Sequence, residues 1–443
     1  MIDIGNIDAV NIESFLNSEI ALGSRQARLL AKDIIIDQEP IARFCDSVCQ
    51  HIGQNLKILF IYDQEFEGVV KKLKENFISR GFLDTEYIIE DWRVELKTAK
   101  KIASSLQDDA RVIIAAGGDI AAQTAKITSL LSGLPLAVYY AVPECDGAFA
   151  GYSWAFHNNI KDIYKSAVPS IICVDLEQVY QCGQKYLGAG IGITASKYCA
   201  LFDWYFSHLF NLKEFDYQIS DAAFRTLERL LTLSDEIIKK DKKAYQELIQ
   251  TQLKLSALTH LSQSTCLMGG AETGALNVLE MFFHKENRPT RQRGENLFLC
   301  AKIILRAYKN WLTKLRLTEG YFYMPDNSLR LEKLTDYLGL GELEALNRVL
   351  VIDDYEQWEI MQYKWGEYNE DLVQKLEEIC GYFDKYERIF KRVYDDAGFW
   401  TTKYLTDTDI MLMIGLAPDA IKNFTLISFV KLTGQLDRYL EGV

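Results

Sequence analysis

The stretch Arg111-Val-Ile-Ile-Ala-Ala-Gly-Gly-Asp-Ile-Ala-Ala-Gln-Thr-Ala-Lys126 decides the fold. A β-branched run enters two glycines and leaves as an alanine-rich, helix-forming segment. A strand that turns through glycines into a helix presents free backbone N–H groups at the helix start, a geometry suited to holding a phosphate. Taken alone, a Gly-Gly turn is equally a plain tight turn.

The flanking sequence repeats the alternation. Lys57-Ile-Leu-Phe-Ile-Tyr62 reads as a strand bounded by Asn55 and Asp63. Glu67 to Arg80 reads as an amphipathic helix, with Val69, Leu73 and Phe77 on one face and Gly81 as its stop. Tyr87–Ile89 and Leu136–Tyr140 are further strands, and Leu96 to Leu106 and Ile120 to Leu131 are further helices. Such alternation predicts a Rossmann-like, mostly parallel sheet with helices on both faces. Beyond Val174 strand-like runs nearly vanish. Helical patterns take over at Ala222–Lys240, Tyr245–His260, Glu295–Leu317 and Asp371–Val393. The expected organisation is an α/β domain over residues 1–175 and an all-helical domain over 176–443, with ligand binding in the cleft between them.

Composition bounds the function. The 443 residues carry 49 Lys plus Arg against 62 Asp plus Glu, a net charge of −13 that argues against a general nucleic-acid partner. Hydrophobic residues make up 49% and charged residues 25%, which excludes wholesale disorder. The N-terminus lacks a cationic start and a continuous apolar core, and the uncharged run Ile127–Pro143 is too short to span a bilayer. The expectation is a cytoplasmic protein with no membrane partner. The nine cysteines are scattered apart from Cys45 and Cys49, one helical turn apart, and read as reduced thiols.

Three more segments stand out. Ala141-Val-Pro-Glu-Cys-Asp-Gly147 closes a strand at what would be the ligand-facing edge of an open sheet. Ala189-Gly-Ile-Gly-Ile-Thr-Ala-Ser-Lys-Tyr198 leads to Asp203-Trp204, and Gly269-Gly270 leads to Asn277 and Arg291-Gln-Arg-Gly-Glu295. Each alone fits a turn or a helix cap. Together, in this order, they resemble the sn-glycerol-1-phosphate dehydrogenase family, within the wider group of iron-type alcohol dehydrogenases, glycerol dehydrogenases and dehydroquinate synthases. The matching positions are Gly117, Gly118, Lys126, Pro143, Asp146, Gly147, Pro169, Asp175, Gly190, Gly192, Lys197, Asp203 and Trp204, with Lys422–Thr425 and Gly434 near the end. The resemblance implies a dehydroquinate synthase-like fold and NAD(P) at Gly117, Gly118, Asp119 and Pro143. It implies a small phosphorylated polyol as ligand.

The departures are as informative. In that family one Asp and two His hold Zn or Fe. The corresponding residues here are Ile193, Asn277 and Arg293. Isoleucine offers no donor, asparagine only a neutral amide oxygen, and arginine a permanent positive charge. Five histidines exist, His51, His157, His208, His260 and His284, none at a family ligand position. His284 lies two helical turns past Asn277 and reads as packing or surface. No metal is therefore expected. The phosphate loop has gained Asp119, whose carboxylate is expected to cap the helix from Ile120 onward. A family Asp has become Gln123, and a family Ser has become Glu144. Two unit charges ~5 Å apart at an effective dielectric of ~20 repel by roughly 3 kcal/mol, so NAD(P) binding is expected to be weakened.

The reading is a family member without the metal ligands, non-standard or inactive, that binds a small ligand in the interdomain cleft. The alternative is an active NAD(P)-dependent polyol-phosphate oxidoreductase. There Arg293 stands in for the metal and Asp146 or Lys197 assists proton transfer. Aromatic clusters at Tyr321–Tyr323 and Gly398–Trp400 read as core first and as a homo-oligomer interface second.

Overall fold

The computed structural model describes residues 2–22, 25–106, 110–314, 327–341, 355–394 and 404–436. The aromatic clusters at Tyr321–Tyr323 and Gly398–Trp400 lie outside these residues. The chain divides into two compact units. One comprises Met1–His157, Asp162–Thr194 and Tyr217–Gln263; the other comprises Asn158–Lys161, Ala195–Asp216 and Ser264–Val443.

The first unit opens with a small sheet of β1 (Ile2–Asp3), β2 (Ile20–Leu22) and β3 (Arg25–Ala27). Its main sheet contains β4 (Asp33–Asp37), β5 (Lys57–Asp63), β6 (Leu83–Ile89), β7 (Ala110–Gly117) and β8 (Leu136–Tyr140). A hairpin, β9 (Tyr152–His157) with β10 (Ile160–Lys165), precedes the last strand, β11 (Ile171–Asp175). The six main strands are parallel throughout, in the order β4-β11-β8-β7-β5-β6. The chain steps outward from β5 to β6 and then returns to the other side of β5 with β7. That reversal opens a crevice at the C-terminal ends of β5 and β7, the place where open α/β sheets take ligands.

The predicted α/β pattern is present, with two differences. Tyr87–Ile89 is the end of a seven-residue strand, and β4 and β11 add two central or edge strands to those the periodicity shows. Both added strands are five residues long with apolar runs of only three and four residues, too short to leave an alternation to read. The helices α1 (Ile41–His51), α2 (Glu67–Ile78), α3 (Leu96–Ser105) and α4 (Asp119–Ser132) cover the sheet. On one face of the sheet Phe44, Phe60, Phe77 and Tyr139 pack with Ile58, Val112 and Cys173; a second cluster joins α3, α4 and β9 through Val94, Leu96, Ala99, Ile127 and Ala155. Full burial of a side chain such as Phe77 contributes about 2–3 kcal/mol. Helix α4 is buried along most of its length, which its alanines permit.

The remaining main helices are α5 (Leu176–Gln181), α6 (Gln184–Leu209), α7 (Tyr217–Leu231), α8 (Ser234–Ile238), α9 (Lys242–Ser262), α10 (Ala271–Lys285) and α11 (Arg293–Leu312). Helices Tyr355–Val393, Asp407–Leu416 and Leu426–Leu432 follow. Among the described residues no helix is long and apolar enough to cross a membrane.

Gly190 shows how closely α6 approaches the segment after β8. A Cβ added there would lie 2.6 Å from the Pro143 carbonyl oxygen. Because that neighbour is backbone, Gly190→Ala is expected to destabilise the fold by about 1–3 kcal/mol. Thermal unfolding should show a lowered midpoint; an unchanged midpoint would mean that the approach is not tight.

Candidate functional site

The candidate site in the first unit is built on the turn from β7 into α4. Gly117 has φ +128°, and a Cβ there would meet the Phe66 ring at 2.6 Å, so only glycine fits. Gly118 is the N-cap of α4 and Asp119 the first helical residue; Asp119 does not supply the expected side-chain cap. Its carboxylate accepts instead from the Gln123 amide, whose oxygen accepts the Trp154 N–H at 2.7 Å.

The acceptors for the first amides come from elsewhere in the chain. Asp63, at the end of β5, accepts the Gly118 N–H. Glu144 Oε2 accepts the Asp119 N–H at 3.4 Å and lies 2.9 Å from where a Gly118 Cβ would stand. Burial is the main force on Asp63 and pushes its carboxyl up to about 7, against the lowering effect of the Gly118 amide; Glu65 and Asp119 add to the rise.

The segment carrying Pro143 and Asp146 is held rigidly beside this turn. Gln252 of α9 brackets it: its oxygen accepts the Cys145 N–H at 2.9 Å, and its amide donates to the carbonyls of Pro143 at 2.9 Å and Gly190 at 3.0 Å. Ser256, one turn on, accepts the Phe149 N–H at 2.9 Å. The buried ammonium of Lys126 donates to the carbonyls of Gly147 at 2.8 Å and Tyr152 at 3.2 Å. Burial brings that ammonium down to about 8, while Asp119 and Asp146 pull the other way. The sequence-based candidates Gly117, Gly118, Asp119, Pro143 and Asp146 thus gather at the ends of β7 and β8. Asp63, Gln252 and Ser256 escape sequence reading: one looks like a strand boundary, and the helical residues find partners 62 to 109 positions away.

Lys197 and Arg293 belong to the second unit. Lys197 donates to the Met268 carbonyl at 3.3 Å. Arg293 is the first residue of α11, behind the N-cap Gln292, whose N–H donates to Glu295 at 3.0 Å. Asn277 is fully buried on α10; its amide donates to the Ala420 carbonyl at 3.0 Å, and its oxygen is buried without a protein partner. His284 pairs with Asn159 at 2.7 Å near the surface. Ile193, in the first unit, is fully buried.

One cluster in the second unit has metal-like composition: Cys199, Asp203 and Glu272, all buried, with ligand atoms within 4.8 Å of one another. Its oxygens already serve the backbone. Asp203 Oδ2 accepts the Ala271 N–H at 2.8 Å; Oδ1 accepts Leu426 N–H at 3.1 Å and the Tyr308 hydroxyl at 2.9 Å. Glu272 accepts the Gly270 N–H through both oxygens, at 2.9 and 3.0 Å, and shares a hydrogen bond with the Cys199 thiol. Burial raises all three groups, Asp203 to about 7. The arrangement caps two helix starts, so these carboxylates have a structural role whether or not a cation binds.

No protein-family model matches the chain. Curated relatives do. It is 20% identical over 255 residues to the glycerol-1-phosphate dehydrogenase [NAD(P)+] of Thermococcus kodakarensis, covering 58% of this chain and 73% of that protein. With the enzyme of the same name from Pyrococcus furiosus it shares 19% over 309 residues, 69% and 88% of the two chains. The chain is thus similar, at low identity, to curated glycerol-1-phosphate dehydrogenases. Solved structures agree on the fold. A probable glycerol dehydrogenase from Sinorhizobium meliloti superposes with TM-score 0.55 at 12% identity, over 93% of this chain and 98% of that one. An iron-containing alcohol dehydrogenase from Thermotoga maritima gives 0.57 at 10% identity, over 93% and 98%. The chain therefore has the fold of the iron-type alcohol dehydrogenases, a parallel α/β sheet followed by helices.

The capping role of Asp203 is testable. Its folded carboxyl titrates near 7, well above an ordinary Asp, so between about pH 4 and 7 the folded state holds the extra proton. Stability contributed by this group therefore falls as pH rises through that window. Asp203→Asn places an NH₂ against a donor and is expected to cost about 1–3 kcal/mol. It should also flatten the decline in urea midpoint across that window; an unchanged slope would show that Asp203 does not titrate there.

Proposed function

We propose that this glycerol-1-phosphate dehydrogenase relative no longer carries out metal-dependent hydride transfer and instead holds a small ligand, a phosphorylated polyol being the class its relatives suggest. The supporting observation is Asn277. It stands where the resemblance puts a metal-binding histidine, and its amide nitrogen is committed to the Ala420 carbonyl, leaving one neutral oxygen. A divalent zinc or iron ion needs several imidazole, thiolate or carboxylate donors. Of the other two positions that the resemblance names, one carries a hydrocarbon, Ile193, and the other a cation, Arg293. These residues do not fit the metal, and no step is assigned to one.

What remains suits binding more than redox chemistry. The Asp146 segment is pinned at both ends by Gln252, Ser256 and Lys126, which favours a fixed surface over a moving one. Arg293 can pair with a phosphate, since a guanidinium presents a planar fork of donors.

Elemental analysis of the purified protein, together with NADH oxidation in the presence of dihydroxyacetone phosphate, tests the proposal. We expect no stoichiometric zinc or iron, no turnover above background, and no rescue by added metal. Metal at one equivalent with turnover would overturn it. Metal-free turnover abolished by Arg293→Ala would replace it with the oxidoreductase in which the guanidinium polarises the carbonyl.

A further inference from the structure

The turn from β7 into α4 sits at the crevice where an open parallel sheet takes a phosphate, yet two carboxylates of the chain already lie on its amides. Asp63 accepts the Gly118 N–H and Glu144 faces the Asp119 N–H. We propose that Glu144 and Asp63 together act as an internal anion, an autoinhibitory contact that closes this loop to the pyrophosphate of a dinucleotide. The inference rests on the reading that the chain does not perform hydride transfer, and names the residues that keep the cofactor out.

Geometry supports closure from both sides. Glu144 arrives from the segment after β8, where Gln252 holds the neighbouring carbonyl of Pro143 and amide of Cys145, so its backbone cannot swing away freely. Its Oε2 lies close enough to Gly118 that a Cβ there would stand at 2.9 Å. Asp63 arrives from the opposite flank, at the end of β5, and its Oδ2 lies 3.2 Å from where a Gly117 Cβ would stand. A third carboxylate, Asp119, is the first residue of the helix and is kept beside the turn by Gln123.

The charge sum then opposes a phosphate. At a helix N-terminus the amides and the dipole attract one anion. Here they face the carboxylates of Asp119 and Glu144 and the carboxyl of Asp63, which burial, helped by Glu65 and Asp119, pushes up to about 7, so that its charge is complete only above that pH. Lys126, whose charge interacts with Asp119, is committed to two carbonyls. A pyrophosphate would have to displace two built-in acceptors and enter beside like charge, each such pair weakening affinity on the order of a hundredfold.

NADH itself is the probe. Binding to the full chain is followed by nicotinamide fluorescence for wild type, Glu144→Ser and the double variant Glu144→Ser/Asp63→Asn. The Asn oxygen can still accept the Gly118 N–H without the charge. We expect the double variant to bind NADH at least about tenfold tighter than wild type. Equal affinities in wild type and the double variant would overturn the inference. Should the double variant fail to fold, the Gly118 amide of glycine-labelled wild type is read by NMR. It should follow the titration of Asp63 and stay unmoved by millimolar NADH; a saturable shift on adding NADH would overturn the inference. Neither readout depends on metal content or turnover, so the functional proposal can stand or fall separately.

Discussion

A helix that begins inside a protein must find acceptors for its first amide groups, and this chain meets that demand with its own side chains wherever the site is built. Asp175 accepts the amides of Glu177 and Gln178 at the start of α5, and Asp241 those of Lys243 and Ala244 at α9. Asp203 serves the Ala271 amide at α10 and the Leu426 amide near the end of the chain. Asp63 and Glu144 meet the same demand at α4. In a dinucleotide-binding protein the α4 amides would be the ones left for the cofactor phosphate.

That constraint separates fold from chemistry. The parallel sheet, the reversal between β5 and β7, and the Gly117 turn forced by Phe66 are geometric and survive any change of function. The fold shared with dehydrogenases at 10–12% identity speaks to these features alone. Chemistry depends on a handful of side chains. The carboxylates that look most like metal ligands, Asp203 and Glu272, are helix caps with their oxygens already bonded to backbone N–H groups.

Much of the architecture is legible in the sequence because it is carried by periodicity. Lys57–Tyr62 and Leu136–Tyr140 show as apolar runs, and the helix after Gly118 shows as alanine-rich sequence closing at Gly133, which takes φ +72°. The strands Asp33–Asp37 and Ile171–Asp175 are too short to announce themselves, and pairing in register with their neighbours is a tertiary event. The site is legible only where a local motif marks it. Glu144 is visible as an added charge near the loop. Asp63 reads as the end of a strand, because nothing local says that Gly118, 55 positions later, will place an amide against it. Gln252 is hidden for the same reason: its three partners come from Pro143, Cys145 and Gly190. Asp119 misleads for a different reason, since one residue of displacement in the helix start turns an expected cap into a side chain held by Gln123.

The central claim is the proposed one: the chain covers the first α4 amides with its own carboxylates and offers no metal-ligand set at Asn277. A crystal grown with excess zinc and NADH, measured at the zinc absorption edge, tests it most directly. The account predicts Glu144 still on the Asp119 amide and no anomalous peak beside Asn277. Pyrophosphate density on the Gly118 and Asp119 amides, or a zinc peak against the Asn277 oxygen, would contradict it.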